Sequence, residues 1–345
     1  MLCIDECDIC IMITNKFMAE LTTKKISVVV PLFNEAAGLE QFNKSITSVL
    51  NEALGSYEII YCDDGSSDST SEILHKLSAS DNHIRYISLT RNFGKENALS
   101  AGIFYASGDA IMMIDGDGQH PVELLPEFIK SWLSGNKVVI GIRQSNSKEG
   151  IRKRWGSLLF HKTFNKITGQ KIPAGSTDFR LIDRSVQQAF IELKDSDRIT
   201  RGLIDWLGFK TSYIKFNAKP RAQGSASYSF NKLVKLAINS YVGFSNTPLY
   251  FFGYLGVVIS ALSFILGLAI FIEQLLLGDP LSWKFTGTAM LAILTIFLVG
   301  IVLTAQGILA VYVSLMHNQT KQRPLYVVDF ENSIGLARNN KDAQK

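Results

Sequence analysis

Two long apolar stretches near the C-terminus constrain this chain more than any other feature of its sequence. They occupy residues 249–277 and 285–316, and Glu273 is the only formal charge within either. Each exceeds the roughly 20 apolar residues that cross the hydrocarbon core of a bilayer. We therefore predict a hairpin of two transmembrane helices joined by a short loop over residues 278–284.

Charges around the hairpin predict its orientation. Its loop is nearly neutral, whereas basic residues flank it on both sides: Lys232, Lys235, Lys321 and Arg323. Because cytoplasmic flanks of membrane spans are enriched in Lys and Arg, both termini are expected in the cytoplasm. The N-terminal apolar run 9–13 follows acidic residues and has no small-residue cleavage site, so it does not resemble an export signal. We expect a multi-pass protein of the inner (plasma) membrane with its soluble part on the cytoplasmic side.

The residues before the hairpin, 230–248, contain an amphipathic pattern. Six apolar residues share one helical face: Phe230, Leu233, Val234, Ala237, Tyr241 and Phe244. Such a stripe is typical of a helix lying in the membrane interface. A helix packed on a soluble core has the same pattern, but the neighbouring membrane span favours the interfacial position.

Upstream of these segments, short apolar strands alternate with amphipathic helices between residues 26 and 142. This alternation predicts an α/β domain with a mostly parallel sheet that helices cover on both faces. Ligands of such sheets bind at the carboxyl ends of the strands. Those ends carry polar, acidic sequences here, at residues 31–35, 63–66 and 115–119. We therefore expect the functional site at that edge of the sheet.

Composition agrees with a soluble part joined to a membrane part. Only 19% of the 345 residues are charged, against about 25% in a typical soluble domain. The net charge of +4 is too small to indicate a nucleic-acid partner. We predict an N-terminal extension (1–23), an α/β domain (24–229), a juxtamembrane helix (230–248), a two-helix hairpin (249–316) and a cytoplasmic tail (317–345).

An acidic motif directly follows one of the predicted strands. It contains Asp115 and Asp117, one residue apart, and the amide of Gln119 two residues further on. Oxygen ligands of this kind suit a hard divalent cation, which also takes phosphate oxygens of a substrate. We therefore predict that Asp115, Asp117 and Gln119 hold Mg²⁺ or Mn²⁺ and that the cation stabilises a diphosphate leaving group. An isolated D-x-D is usually a solvated turn, but the second acidic turn at residues 63–64 supports the metal site.

Five motifs occur in the order found in a known family. They are Val-Val-Val-Pro-Leu-Phe-Asn-Glu (28–35), Asp-Asp-Gly-Ser-Ser-Asp-Ser-Thr (63–70), Arg-Asn-Phe-Gly-Lys-Glu (91–96), Asp-Gly-Asp-Gly-Gln-His-Pro (115–121) and Thr-Asp-Phe-Arg-Leu (177–181). Together they resemble glycosyltransferase family 2, and specifically the polyprenyl-phosphate glycosyltransferases, which include dolichol-phosphate mannosyltransferase and the bactoprenol glucosyltransferases. With residues 201–209, 221–225, 323–326 and the hairpin, the resemblance extends over about residues 25–330.

This resemblance implies a GT-A-type, Rossmann-like fold and a UDP- or GDP-sugar donor. The donor-binding residues would be Pro31, Phe33, Glu35, Asp64, Lys95 and Asp115. Candidates for the acceptor phosphate are Arg143, Arg152, Arg221 and Ser225. The catalytic group would be Asp115, Asp117, Asp178 and Arg180. The hairpin-anchored relatives also imply a homo-oligomer in contact with membrane lipid.

Some of these residues have structural alternatives. Arg152 and the basic residues 153–154 are equally suited to attract anionic lipid headgroups. Arg180 can instead be an ion-pair partner of Asp178. We expect His120 to be a hydrogen-bonded loop residue rather than a ligand.

The resemblance predicts inverting transfer of a sugar onto a polyprenyl (undecaprenyl or dolichyl) phosphate, for modification of cell-envelope glycans. The second pKa of a phosphate monoester is about 6, so the acceptor is already anionic at pH 7 and needs little help from a general base. Two alternatives stay open. A processive polysaccharide synthase would need a Q-x-x-R-W element, and Ile151 stands where its Gln belongs. A non-catalytic scaffold or lipid-flipping partner would not need the intact motif at residues 115–119.

Overall fold

The structure is a computed structural model that describes residues 23–144, 173, 175–195, 198–217, 287–321 and 323–336, with isolated positions between 254 and 265. The described residues form two compact units. One contains the sheet together with residues 323–336, and the other contains residues 287–321. The predicted N-terminal extension and juxtamembrane helix lie outside the described residues, as does most of the first apolar stretch.

Across the described ranges the first unit is built on a seven-stranded sheet. Its strands are β1 (Lys25–Leu32), β2 (Ser56–Asp63), β3 (Ile84–Ser88), β4 (Ala110–Met113), β5 (Val138–Arg143), β6 (Ser176–Asp183) and β7 (Thr211–Phe216). The spatial order is β3-β2-β1-β4-β6-β5-β7. Strand β6 runs antiparallel to β4 and β5, and the other pairings are parallel. The predicted mostly parallel α/β sheet is therefore confirmed.

Helices cover this sheet. They are α1 (Ala36–Ala53), α2 (Thr70–Ser80), α3 (Lys95–Tyr105), α4 (Leu125–Leu133), α5 (Arg184–Glu192) and α6 (Thr200–Trp206). The apolar face of α1 is buried, as the spacing of Leu39, Ile46 and Leu50 predicts. Helix α3 packs closely on the strands, because a Cβ at Gly102 would overlap the side chains of Val29 and Cys62.

The strand order determines where a ligand can bind. The chain passes from β1 to β2 and β3 on one side, and then returns to place β4 on the other side of β1. Such a reversal leaves a crevice outside the carboxyl ends of β1 and β4. Phe33 follows β1 and Asp115 follows β4, so the predicted motifs flank this crevice.

The second unit contains α7 (Gly287–Thr320), which is 34 residues long. Its segment Phe297–Ser314 is, among the described helices, the one long and apolar enough to cross a membrane. This helix covers nearly all of the second predicted span. The two-helix hairpin as a whole stays a prediction, because the first span has only isolated described positions.

Residues 326–336, which we call the C-terminal strap, return to the sheet. Ile334 forms an antiparallel bridge with Tyr86, and Val328 forms another with Leu89. The strap therefore lines the outer edge of β3. The sequence alone suggested only a tail after the hairpin, so this contact is a finding of the structure.

A buried carboxylate holds the amino ends of the strands together, on the far side from the crevice. Glu58 on β2 accepts hydrogen bonds from Ser27 Oγ at 2.5 Å, Ser107 N at 2.7 Å and Lys25 Nζ at 2.9 Å. Arg85 NH1 contacts the same carboxylate at 3.2 Å. Burial alone would raise the pKa of Glu58, but these hydrogen bonds and the Arg85 charge outweigh it and lower the pKa to about 2.

The depressed pKa predicts an acid-sensitive contribution to stability. Because the pKa of Glu58 falls from an ordinary 4.5 to about 2 on folding, its contribution is complete above about pH 4.5 and is lost as the pH falls toward 2. We expect Glu58→Gln to lower the free energy of unfolding by about 2–3 kcal/mol at pH 7 and to flatten its pH dependence below pH 5. Thermal unfolding of the full chain in detergent, measured across pH, checks this. Glu40→Gln, on the exposed face of α1, is the control, and equal acid sensitivity of the two variants would contradict the assignment.

Candidate active site

A lysine bridges two carboxylates at the crevice. Lys95 is the first residue of α3, and its Nζ lies 2.7 Å from Asp115 Oδ1 and 2.8 Å from Asp178 Oδ2. Asp115 follows β4 and Asp178 lies in β6, which pairs with β4. Burial alone would lower the pKa of Lys95, but the two carboxylates outweigh it and raise the pKa above its usual value. Three segments far apart in the sequence thus meet at one ammonium group.

Asp178 has an oxygen that the described residues leave unsatisfied. Its Oδ1 is buried and has no hydrogen-bond partner there, whereas its Oδ2 accepts from Lys95. Burial raises the pKa of Asp178, but the charges of Lys95 and Arg201 outweigh this and lower the pKa below its usual value. The side chain is therefore ionised at neutral pH. A buried anionic oxygen without a partner is a natural contact for a ligand or cation.

The acidic motif forms a tight turn after β4. Gly116 packs closely on Leu32 at the end of β1, because a Cβ there would overlap Leu32 Cδ2 and displace that side chain. Gly118 has a φ of 71°, and the backbone N–H of Gln119 donates to Asp117 Oδ1 at 3.0 Å. The glycines of the motif therefore let the turn lie directly against the crevice.

His120 supports this turn. Its Nδ1 accepts a hydrogen bond from the backbone N–H of Asp115 at 3.3 Å, and its ring stacks on Phe179 with centroids 5.0 Å apart. Burial is the main cause of the lowered pKa of His120, which keeps the ring neutral and able to accept. The expectation of a hydrogen-bonded loop histidine is confirmed.

The charges at the crevice suit a divalent cation. Lys95 contributes +1, and Asp115, Asp117 and Asp178 contribute −1 each, so the four side chains sum to −2. In the described part of the chain, no three His, Cys, Asp or Glu side chains are already grouped closely enough to hold a metal ion. A cation here would therefore need ligands from a bound substrate as well. Mg²⁺ is commonly bound in this way, by one or two carboxylates and by substrate phosphates. The donor set fits the predicted metal, and the half-buried side chain of Gln119 lies on the same turn.

Asp64 holds the loop that leads into Lys95. Its carboxylate is buried at the end of β2 and accepts the backbone N–H groups of Phe93 at 2.7 Å and Gly94 at 2.9 Å. Gly94 has a φ of 97°, a conformation that favours glycine. Asp64 thus has a positioning contact in addition to the donor contact that the resemblance implies. The Arg-Asn-Phe-Gly-Lys motif was the available signal, but nothing in it identified Asp64 as the partner.

The loop after β1 is tied to the loop after β2. Asn34 has a φ of 56°, and its Oδ1 accepts the N–H of Ser67 at 2.8 Å. The N–H of Glu35 donates to Thr70 Oγ1 at 3.0 Å. Phe33 is 45% exposed beside these contacts, while Pro31 is buried within β1. An exposed aromatic ring at the end of a central strand offers a surface on which a flat ring can stack. The predicted donor-binding stretch 31–35 includes Asn34, but its bond to the loop after β2 was not predicted.

Arg180 is bound within the protein. It is 1% exposed, and its guanidinium contacts Asp205 Oδ1 at 2.7 Å, with further donors to the carbonyls of Thr177 and Arg201 and to Ser176 Oγ. Its ion-pair partner is therefore Asp205 on α6, and the suggested pairing with Asp178 was wrong.

The residues predicted for the acceptor phosphate are only partly described. Arg143 is the last residue of β5 and is exposed. Arg152, Arg221 and Ser225 lie outside the described residues. The predicted acceptor site therefore stays a prediction.

Comparison with known proteins identifies the family. Residues 27–190 match the model of glycosyl transferase family 2. The chain is 36% identical to an uncharacterized glycosyltransferase of Synechocystis sp., over 89% of this chain and 95% of that protein. It is 34% identical to the bactoprenol glucosyl transferase of Shigella phage SfV, over 89% of this chain and 99% of that protein.

A third relative has a similar degree of identity over a similar length. The prophage bactoprenol glucosyl transferase homolog of Escherichia coli K12 is 35% identical, over 88% of this chain and 98% of that protein. Such identity over nearly the whole length of several relatives, together with the match to the family model, means that the chain belongs to glycosyl transferase family 2.

Proposed function

We propose that this protein is a membrane-bound inverting glycosyltransferase that moves a sugar from a nucleotide-sugar onto a polyprenyl phosphate. The observation that carries the proposal is the ion-paired group of Lys95, Asp115 and Asp178 at the crevice, with Asp117 on the same turn as Asp115. The bactoprenol glucosyl transferases among the relatives support a lipid-phosphate acceptor. The product would be a polyprenyl-phosphate-linked sugar for cell-envelope glycans.

The donor would bind in the crevice between β1 and β4. Phe33 would stack on the base, Glu35 and Asp64 would lie at the ribose end, and Lys95 would contact the diphosphate. Asp115, Asp117 and Gln119 would hold Mg²⁺ or Mn²⁺. When bound, this cation would supply Lewis-acid stabilisation of the leaving diphosphate. The lysine and the carboxylates are held by other parts of the chain, so the site is largely formed before the donor arrives.

The proposed reaction needs no proton transfer from the acceptor. An anionic oxygen of the lipid phosphate attacks the anomeric carbon from the side opposite the nucleoside diphosphate. The new carbon–oxygen bond forms as the bond to the diphosphate breaks, and the diphosphate leaves with the electron pair. Attack from the opposite face inverts the anomeric configuration. In this mechanism Asp178 positions Lys95 and stays ionised, in agreement with its lowered pKa.

Membrane attachment would keep the site near its acceptor. Helix α7 and the predicted hairpin would hold the enzyme at the plasma membrane with both termini in the cytoplasm, as a homo-oligomer. The phosphate of a membrane-embedded polyprenyl chain lies at the level of the lipid headgroups. We propose that Arg143, Arg152, Arg221 and Ser225 bind it there, because two anions must approach each other and need basic residues between them.

The proposal is tested with the purified full chain in detergent, undecaprenyl phosphate and a panel of labelled UDP- and GDP-sugars. We expect one donor to yield a labelled lipid product whose anomeric configuration is opposite to that of the donor. Transfer to a water-soluble alcohol instead, retention of configuration, or no transfer from any donor would each contradict the proposal.

The metal assignment predicts the effect of a single carboxylate. We expect Asp117→Asn to reduce the rate of sugar transfer at least about 100-fold, since it removes a ligand of the cation that would stabilise the leaving diphosphate. A chelator should abolish turnover by the unaltered chain, and added Mg²⁺ or Mn²⁺ should restore it. Glu127→Gln, an exposed carboxylate on α4, is the matched control and should retain full activity. Full activity of the Asp117 variant, or of the unaltered chain in chelator, would refute the assignment.

The contacts of Arg180 predict a structural role for this residue. Because Arg180→Gln would leave the partly buried Asp205 carboxylate without this ion-pair partner, we expect the free energy of unfolding to fall by about 3 kcal/mol. Thermal unfolding of the full chain measures this loss, with Lys44→Gln on the exposed face of α1 as control. An unchanged melting temperature combined with lost turnover would instead assign Arg180 to the substrate.

A further inference from the structure

The C-terminal strap binds the edge of the sheet along its length. The backbone groups of Ile334 exchange hydrogen bonds with those of Tyr86, and the N–H of Asp329 donates to the Ser88 carbonyl at 2.8 Å. Side chains add to this pairing, because Ser333 Oγ accepts the N–H of Ser88 at 3.0 Å. These bonds satisfy backbone groups of β3 that an uncovered edge strand would expose to water.

The strap is also ordered by its own contacts. The Asp329 carboxylate accepts the N–H groups of Glu331 at 3.1 Å and Asn332 at 3.2 Å, and it also accepts Asn332 Nδ2 at 2.7 Å. Ser333 Oγ donates to the Asp329 carbonyl at 2.6 Å. The turn is therefore closed by side chains of the strap itself, which lowers the entropy that it loses on docking.

The first residues of the strap reach the loop that leads into the active site. The carbonyl of Val327 accepts the N–H of Thr90 at 3.0 Å. Thr90 precedes the loop 91–94, whose last two N–H groups are held by Asp64. The next residue is Lys95, with its ammonium on Asp115 and Asp178. The loop is thus fixed at its start by the strap and at its end by Asp64.

The first turn of α3 is also held from a second segment. The N–H of Thr200, the first residue of α6, donates to Glu96 Oε2 at 2.8 Å. Glu96 is the second residue of α3. The strap therefore acts on the loop before α3, whereas α6 holds the helix itself.

We propose that the C-terminal strap is a positioning element for loop 91–94 and, through this loop, for Lys95. The strap would act through its backbone hydrogen bonds, which restrict the conformations of this loop. Without the strap, the loop would become ordered only when the nucleotide-sugar diphosphate binds, and binding would be weaker. This inference rests on the proposed function for its effect on the donor, but its structural basis does not.

The proposal is tested with two truncated chains, one ending at Lys321 and one ending at Leu336. Only the first lacks the strap, and both keep the two apolar stretches. In the shorter chain we expect amide hydrogen exchange over residues 89–95 to accelerate at least about tenfold. We expect the KM for the nucleotide-sugar to rise about tenfold, while kcat changes less than about twofold. A tenfold rise corresponds to the free-energy cost of ordering about one more residue when the donor binds. A synthetic peptide of residues 323–336 should restore both values.

Two point variants in the full chain keep the test valid if truncation prevents folding. Asp329→Pro removes the N–H that donates to Ser88, so it should reproduce the rise in KM. Asp329→Asn keeps that N–H and an acceptor for the turn, so it should retain the KM of the unaltered chain. Unchanged hydrogen exchange in the shorter chain, or a fall in kcat with KM unchanged, would overturn the proposal. Hydrogen exchange is measured without substrate and therefore tests the strap independently of the enzymatic activity. If the chain ending at Leu336 transferred no sugar, that result would contradict the proposed function and not the role of the strap.

Discussion

The ion pairs of Lys95 are the interaction on which the rest of the site depends. One ammonium group joins the start of α3, the end of β4 and the strand β6, with both nitrogen–oxygen distances below 3 Å. The charge of Lys95 helps to lower the pKa of Asp178 below its usual value, although burial alone would raise it. The formal charges of Lys95, Asp115, Asp117 and Asp178 sum to −2. The same lysine thus assembles the acidic cluster and leaves it able to attract a divalent cation.

The surrounding contacts serve to keep this lysine in place. Asp64 binds the loop before it, the strap binds the start of that loop, and Glu96 links the first turn of α3 to α6. Each of these contacts joins segments that are distant in sequence. Charged groups that are fixed from several directions need little reorganisation during the reaction. Electrostatic stabilisation of a transition state is most effective under this condition. The proposed acceptor, already anionic, would need such a fixed arrangement of charge more than it would need a base.

Much of the sheet and part of the site were predictable from the sequence. Apolar strands alternating with helices determine a parallel α/β sheet, and the position of Asp115 and Asp117 after a strand follows from that pattern. The antiparallel insertion of β6 between β4 and β5 was not predictable, because register between distant strands leaves no local signature. The partner of Arg180 was predicted wrongly for the same reason: Asp178 is close in sequence, whereas Asp205 is close in space. The strap escaped prediction because edge pairing uses mainly backbone groups, which no residue type reveals.

Whether the acidic residues bind a cation together with a diphosphate is decided by Mn²⁺ binding to the purified full chain, followed by electron paramagnetic resonance with and without UDP or GDP. We expect one of these nucleotides to make the protein take up about one equivalent of Mn²⁺, after correction for Mn²⁺ bound by nucleotide alone, because the carboxylates supply only part of the ligand set. We also expect Asp117→Asn to lose this uptake while its melting temperature is unchanged. Equal uptake by the variant, or uptake that no nucleotide affects, would contradict the claim that this cluster binds the metal together with a diphosphate.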